Sequence, residues 1–168
     1  MKQLLSKLLF VEWKAQWKHY ASNQGAGAQR SAFKIHDANN QTSFKTAGVA
    51  AYPWLWITLG RQYLITKVAI LSGAEPLMNL EVRIGRKYQP QISKNEPYTM
   101  NTRCGIYYGP TLVSQQWVEI DCGLPRGIKG NHISFQLTDR STGNNPLEIT
   151  ELEIYGWGRV CSTNDPEN

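Results

Sequence analysis

PWLWITLGRQYLITKVAI, residues 53–70, decides how this chain folds. Trp54, Trp56 and Thr58 alternate with Leu55, Ile57 and Leu59, the pattern of a strand whose successive side chains point to opposite faces. Gly60 breaks the alternation, a polar turn is expected at Arg61 to Tyr63, and Leu64, Ile65, Val68 and Ile70 predict a second strand. Both faces of the first strand are largely apolar. That suits a strand inside a sandwich, with one face against a second sheet and the other beneath loops.

Downstream the pattern repeats in shorter pieces. Leu71 to Leu77 reads as a loop and Leu80 to Gly85 (LEVRIG) as a strand. Arg86 to Arg103 is polar and contains Pro, so a long surface excursion is expected. Further strands are predicted over Cys104 to Gly109, Trp117 to Cys122, Asn131 to Leu137 and Leu147 to Trp157. In the last, the apolar set moves from odd positions (Leu147, Ile149) to even ones (Leu152, Ile154), which predicts a bulge near Thr150. Asp139 and Glu148 flank a Gly-Asn-Asn turn and are expected to be solvated. About eight short strands with turns between them, and no convincing interior helix, give an all-β antiparallel β-sandwich or jelly roll.

Upstream, Met1 to Tyr20 stands apart. Leu4, Leu5, Leu8, Leu9, Trp13 and Trp17 recur near helical spacing among Lys2, Lys7, Lys14 and Lys18, which predicts a short N-terminal amphipathic helix. Lys7 interrupts a short apolar run and no small-residue cleavage site follows before Glu12, so the segment does not read as a secretory leader. With its apolar run short and interrupted by Lys7, it cannot span a bilayer either. Two roles stay open: a membrane-surface or partner-binding helix, or a helix or strand docked on its own domain. The expected organisation is a segment 1–20, one domain over 21–158 and a polar tail over 159–168.

The 168 residues and 41% hydrophobic content suit a single domain with a full core. A net charge of +5 favours anionic partners weakly. The basic residues are scattered and no groove-reading helix or ribbon motif is present, so nucleic acid is set aside as a partner. Catalysis finds no nucleophile elbow, no His and Cys set at metal-ligand spacing and no phosphate-cradling Gly loop. Residues 33–43 (FKIHDANNQTS) offer the oxygens of Asp37, Asn39, Thr42 and Ser43 within a few residues, chemistry that suits either a hard cation or a self-bonded turn. Asn40-Gln41-Thr42 is also an acceptor triplet for N-glycosylation if the chain is exported.

The order of these pieces resembles the discoidin-like superfamily, which includes the C-type domains of coagulation factors V and VIII, and most of all its F-type lectin (fucolectin) branch. The matching pieces are KIHDAN, PWLWITLG, LEVRIG, then a Cys pair, then ITELEIYG, in order over about 21–156. The resemblance implies a discoidin-like jelly roll and calcium held by Asp37, Asn39, Ser43 and Glu151, with Ala38 in place of a family Gly. It implies a disulfide between Cys104 and Cys122, which would contribute about 3 kcal/mol. Cys161 is left over for an intermolecular bond or a free thiol.

Fucose-binding members use a His and two Arg in two loops. Here those loops are Phe44 to Val49 and Ser72 to Leu77, without His and without Arg. Lys45, Tyr52, Glu75 and Met78 are the candidates for a different ligand pocket at the loop end. The function expected is a non-catalytic, calcium-stabilised module that binds a glycan or glycoprotein in cell adhesion or recognition. It would be extracellular, with a leader that is unusual or lies outside this sequence. One alternative is a structural or assembly subunit that self-associates or joins other chains after losing its sugar site. A second is lipid-surface binding through Leu77, Met78 and the N-terminal helix.

Overall fold

The computed structural model describes residues 18–21, 34–35, 37–46, 52–87, 98–123, 126–139 and 146–157. Among these the expected turn at Arg61 to Tyr63 does not form. Residues 54–72 make one continuous strand, β3 (Trp54–Ser72), whose middle, Gly60 to Gln62, is exposed. Each half of β3 serves a different layer of the sandwich, so the chain bends without breaking the strand.

The other strands are β1 (Lys18–Ala21), β2 (Phe44–Lys45), β4 (Leu80–Gly85), β5 (Thr102–Tyr107), β6 (Trp117–Asp121), β7 (Ile128–Leu137) and β8 (Glu148–Trp157). The first half of β3 lies between β1 and β7, and the layer continues through β4 to β5. Its second half lies between β6 and β8, and β2 adds to the far side of β8. All these pairings are antiparallel. The result is an all-β sandwich with β3 as the shared strand.

Two bulges let strands change which parity faces the core. On β3 the core side chains are Leu55, Ile57, Leu59, Tyr63 and Ile65, then Val68 and Ile70; the pairing with β8 skips Thr66, between Ile65 and Lys67. On β8 the pairing jumps from Leu71↔Glu151 to Ser72↔Ile149. Thr150 is the extra residue, where the sequence pattern predicts it, and its hydroxyl donates to the Ser72 carbonyl at 3.0 Å. A bulge leaves one residue out of the ladder, and here its side chain bonds the partner strand instead.

The two faces of the first half of β3 divide as expected. Leu55, Ile57 and Leu59 join the main core between the layers, whereas Trp54 and Trp56 pack on the outer face with Tyr98. Trp56 and Tyr98 meet edge to face, ring centres 5.0 Å apart. Tyr98 and Asn101 are buried. The end of the expected surface excursion is therefore a lid over the tryptophans, and Arg83 anchors it by donating to the carbonyls of Thr99 and Asn101.

Cys104 on β5 and Cys122 just after β6 form the disulfide. It ties the edge strand of one layer to the edge strand of the other. The N-terminal helix expectation falls on residues outside the described set, except that Lys18 to Tyr20 belong to strand β1 against β3. Cys161 also lies outside the described residues.

Candidate functional site

Three connections and the start of β8 meet at one end of the sandwich: residues 37–43 before β2, 73–79 between β3 and β4, and 108–116 between β5 and β6. They enclose a cavity of about 230 Å³ lined by Asn40 to Ser43, Gly73, Ala74, Ser114, Gln115, Glu148 and Thr150. Hydrogen bonds between the connections hold it open. The Gln115 side chain donates to the Asn40 carbonyl at 2.5 Å and the Gln115 N–H to the Gly73 carbonyl at 3.3 Å. Farther along, Leu77 N–H donates to the Thr111 hydroxyl and Thr111 N–H returns a bond to the Leu77 carbonyl.

Glu148 is the charged floor of this cavity. It is buried, not solvated as its place beside a polar turn suggested. Its Oε1 accepts from the Ser43 hydroxyl at 2.9 Å and its Oε2 from the Glu75 N–H at 3.3 Å. Lys45, its cross-strand partner on β2, places Nζ 3.6 Å from Glu148 Oε2 and 3.2 Å from Glu75 Oε1. Burial pulls the Lys45 ammonium down, but the bond to Glu75 and the charges of Glu148 and Glu75 outweigh it, so its pKa lies above the ordinary lysine value. Gly73 leaves room for this carboxylate, since a Cβ there would fall 2.2 Å from Glu148 Cγ and displace it.

Of the pocket candidates, the structure brings Lys45 and Glu75 together at the rim. Tyr52 is half-buried in the bend before β3, and Met78 is half-buried near the end of the 73–79 connection; neither lines the cavity. Leu77 is 3% exposed and belongs to the core, so it is not an apolar tip. The exposed apolar side chains of this end are Tyr108, Leu112 and Val113 on the β5–β6 connection, with Leu112 86% exposed. Sequence reasoning missed this connection and Glu148. Gly109-Pro110 marks the turn, but no periodicity links residues 108–116 to a site.

The oxygen-rich loop folds on itself. Asp37 Oδ1 accepts from the Asn39 N–H at 2.9 Å, Asp37 Oδ2 from the Thr42 hydroxyl at 2.8 Å, and Asn39 Oδ1 from the Gln41 N–H at 3.0 Å. Ala38 takes φ +58°, so alanine adopts the left-handed conformation that glycine would hold without strain. Asp37 and Asn39 are exposed, Ser43 is half-buried and Glu151 buried. The donors are all oxygen, the ligand type a hard cation takes, and Asp37 and Asn39 keep lone pairs beyond these bonds. No group of three or more His, Cys, Asp or Glu side chains converges among the described residues. Any such site would thus draw on backbone, amide and hydroxyl oxygens. Asn40, the acceptor of the glycosylation triplet, is exposed at the cavity rim.

No family model matches the sequence, and no curated protein matches it. Solved structures do. A fucolectin from striped bass (Morone saxatilis) serum superposes with a TM-score of 0.64 at 20% identity, over 88% of this chain and 48% of that one. The chain therefore spans about half the length of that lectin. A chitosan-binding module of a chitosanase/glucanase from Paenibacillus sp. IK-5 gives 0.63 at 17% identity, covering 84% of this chain and 96% of the module. The family 32 carbohydrate-binding module of Clostridium perfringens NanJ, solved with galactose, gives 0.60 at 15% identity, covering 84% and 95%. These likenesses show the fold, a discoidin-like β-sandwich of the kind found in F-type lectins.

Proposed function

We propose that the protein is a non-catalytic glycan-recognition module whose ligand enters the cavity above Glu148. The observation that carries this reading is the convergence of three connections and the start of β8 on one concave, polar site. Preorganised hydroxyl, amide and carboxylate groups around a small cavity suit a sugar, whose hydroxyls need many partners at fixed angles. The neighbours in fold include a fucolectin, a chitosan-binding module and a module solved with galactose, which supports a carbohydrate ligand. The loops that carry His and two Arg in fucose-binding F-type lectins carry neither here, so recognition falls to other residues: Ser43, Gln115, Glu148 and Thr150 inside, with Lys45 and Glu75 at the rim.

Calcium belongs to this reading as a stiffener. Asp37, Asn39, Ser43 and Glu151 would hold it, and a bound cation would fix the loop that forms one wall. The protein works outside the cell or in an oxidising lumen, a placement the Cys104–Cys122 disulfide favours. A glycan array probed once in calcium and once in chelator tests the whole reading. Selective binding that weakens in chelator is expected. Silence in both, from a folded sample, overturns it in favour of a structural subunit that keeps the fold without the sugar site.

A further inference from the structure

The cavity lining has one charged member. Asn40, Gln41, Thr42, Ser43, Ser114, Gln115 and Thr150 present neutral amides and hydroxyls; the exception is the Glu148 carboxylate, whose side chain is 9% exposed. Lys45 stands outside the lining and lies nearer Glu75 than Glu148, at 3.2 Å against 3.6 Å. A molecule inside the cavity therefore meets negative charge first, although the chain as a whole carries +5.

We infer that Glu148 sets the charge selectivity of the cavity, so that the favoured sugar carries a free ammonium, as a 2-amino-2-deoxyhexose does, and sugars bearing a carboxylate or sulfate are rejected. This rests on the cavity being the glycan site. Each carboxylate oxygen offers two lone-pair positions. Oε1 uses one on the Ser43 hydroxyl, and Oε2 accepts the Glu75 N–H and faces Lys45 Nζ in an ion pair at 3.6 Å. Capacity for a further donor remains on Oε1, and opens on Oε2 when Lys45 withdraws to Glu75. The seat of Lys45 between Glu75 and Glu148 demonstrates that this corner accommodates an ammonium; an arriving one takes over Glu148 and leaves Lys45 on Glu75. A carboxylate or sulfate would instead be buried against a like charge, which excludes wrong partners more effectively than it binds right ones.

Long-range attraction works against this preference, because a +5 chain repels a cationic sugar and attracts an anionic one. Preference for the cation therefore reports on the cavity alone. The test is calorimetric titration of the full chain, once in calcium and once in chelator because a cation held at Ser43 would offset Glu148, with glucosamine oligomers, their N-acetylated counterparts and a uronic acid oligomer. Glucosamine oligomers are expected to bind roughly tenfold tighter than the acetylated ones, the loss of one charge-assisted hydrogen bond, with the uronic acid oligomer weakest.

Glu148→Gln keeps the shape and is expected to erase the difference. Lys45→Met removes the resident ammonium and is expected to tighten glucosamine binding, whereas a residue that merely held the fold would weaken it. Equal affinity for the two oligomers, a preference that survives Glu148→Gln, or weakened binding in a folded Lys45→Met protein overturns the inference. Binding of other glycans without any of these probes overturns it too, and leaves the lectin-like reading standing; silence toward every glycan removes both.

Discussion

The indole N–H of Trp56 donates to Nδ1 of His132 across the β3–β7 ladder, at 3.4 Å, and the Thr58 hydroxyl lies 3.0 Å from the same nitrogen. A nitrogen that accepts from an indole carries no proton, so this contact selects the neutral imidazole protonated at Nε2. Burial acts in the same direction and holds the His132 pKa below the ordinary histidine value of 6.5. In the unfolded chain the group regains that ordinary value and binds a proton first. The stability it contributes is thus complete above the unfolded pKa and is lost as pH falls through about 6.5 toward the lower folded value. Thermal melts between about pH 7.5 and 5.5 should show falling Tm, and His132→Gln should flatten that slope. A slope unchanged in the variant would assign the effect to another group.

The disulfide should matter through the chain it constrains. Cys104 and Cys122 are separated by 18 residues, and closing a loop of that length removes unfolded-state entropy worth about 3 kcal/mol. Replacing both by Ser is expected to cost about that much in a denaturant titration, with the same fold by circular dichroism. Loss of less than about 1 kcal/mol would mean that the reduced unfolded chain already holds these two segments close, so that the bond removes little entropy from it.

Ala38 sits at φ +58°, where its Cβ crowds the backbone. Left-handed backbone costs an L-residue with a side chain about 1–2 kcal/mol, so Ala38→Gly is expected to stabilise the protein by about 1 kcal/mol after the added flexibility of the unfolded chain is subtracted. Ala38→Val should destabilise it. If Ala38→Gly lowers Tm instead, the loop has a different backbone in solution.

The pattern of the fold was legible because period-two alternation survives in most strands and marks its own bulge at Thr150. What alternation cannot carry is connectivity through an exposed stretch. Gly60, Arg61 and Gln62 have the composition of a turn, yet backbone pairing on both sides keeps them in one strand. The KIHDAN segment pointed to an oxygen-rich loop, and Asp37 and Asn39 do shape one. The cavity was less legible: Glu148 reads as a solvated residue beside a polar turn until the β2–β8 pairing sets it against Lys45 and beneath Gly73. Burial of a charge depends on what the tertiary fold lays over it, and single-sequence periodicity contains none of that.

Leu77, expected from the sequence at an exposed apolar tip, is not the exposed leucine of this end; Leu112 on the β5–β6 connection is. Leu77 is core and Leu112 is exposed, so Leu77→Asp should cost about 3 kcal/mol or more and Leu112→Asp less than about 0.5 kcal/mol. If the β5–β6 connection reaches the glycan, Leu112→Asp will still weaken binding at unchanged Tm. If it also meets a lipid surface, pelleting with liposomes will fall in the same variant. Equal destabilisation by both substitutions would contradict the placement of Leu77.

Gly73→Ala separates the cavity from the fold most sharply. The added Cβ would stand 2.2 Å from Glu148 Cγ and 2.4 Å from Cδ, distances that real atoms do not tolerate. The obstacle is a side chain, so Glu148 must swing aside while the backbone keeps its place. It then loses the Ser43 hydroxyl and the Glu75 N–H, and Lys45 keeps only Glu75. The expected cost is about 1–3 kcal/mol, within the range for overpacking a well-filled site. Glycan affinity should fall much further than stability does, because the methyl group and the displaced carboxylate both enter the space a sugar would take. Measured side by side, a folded Gly73→Ala protein with undiminished glycan binding would place the sugar elsewhere on the sandwich.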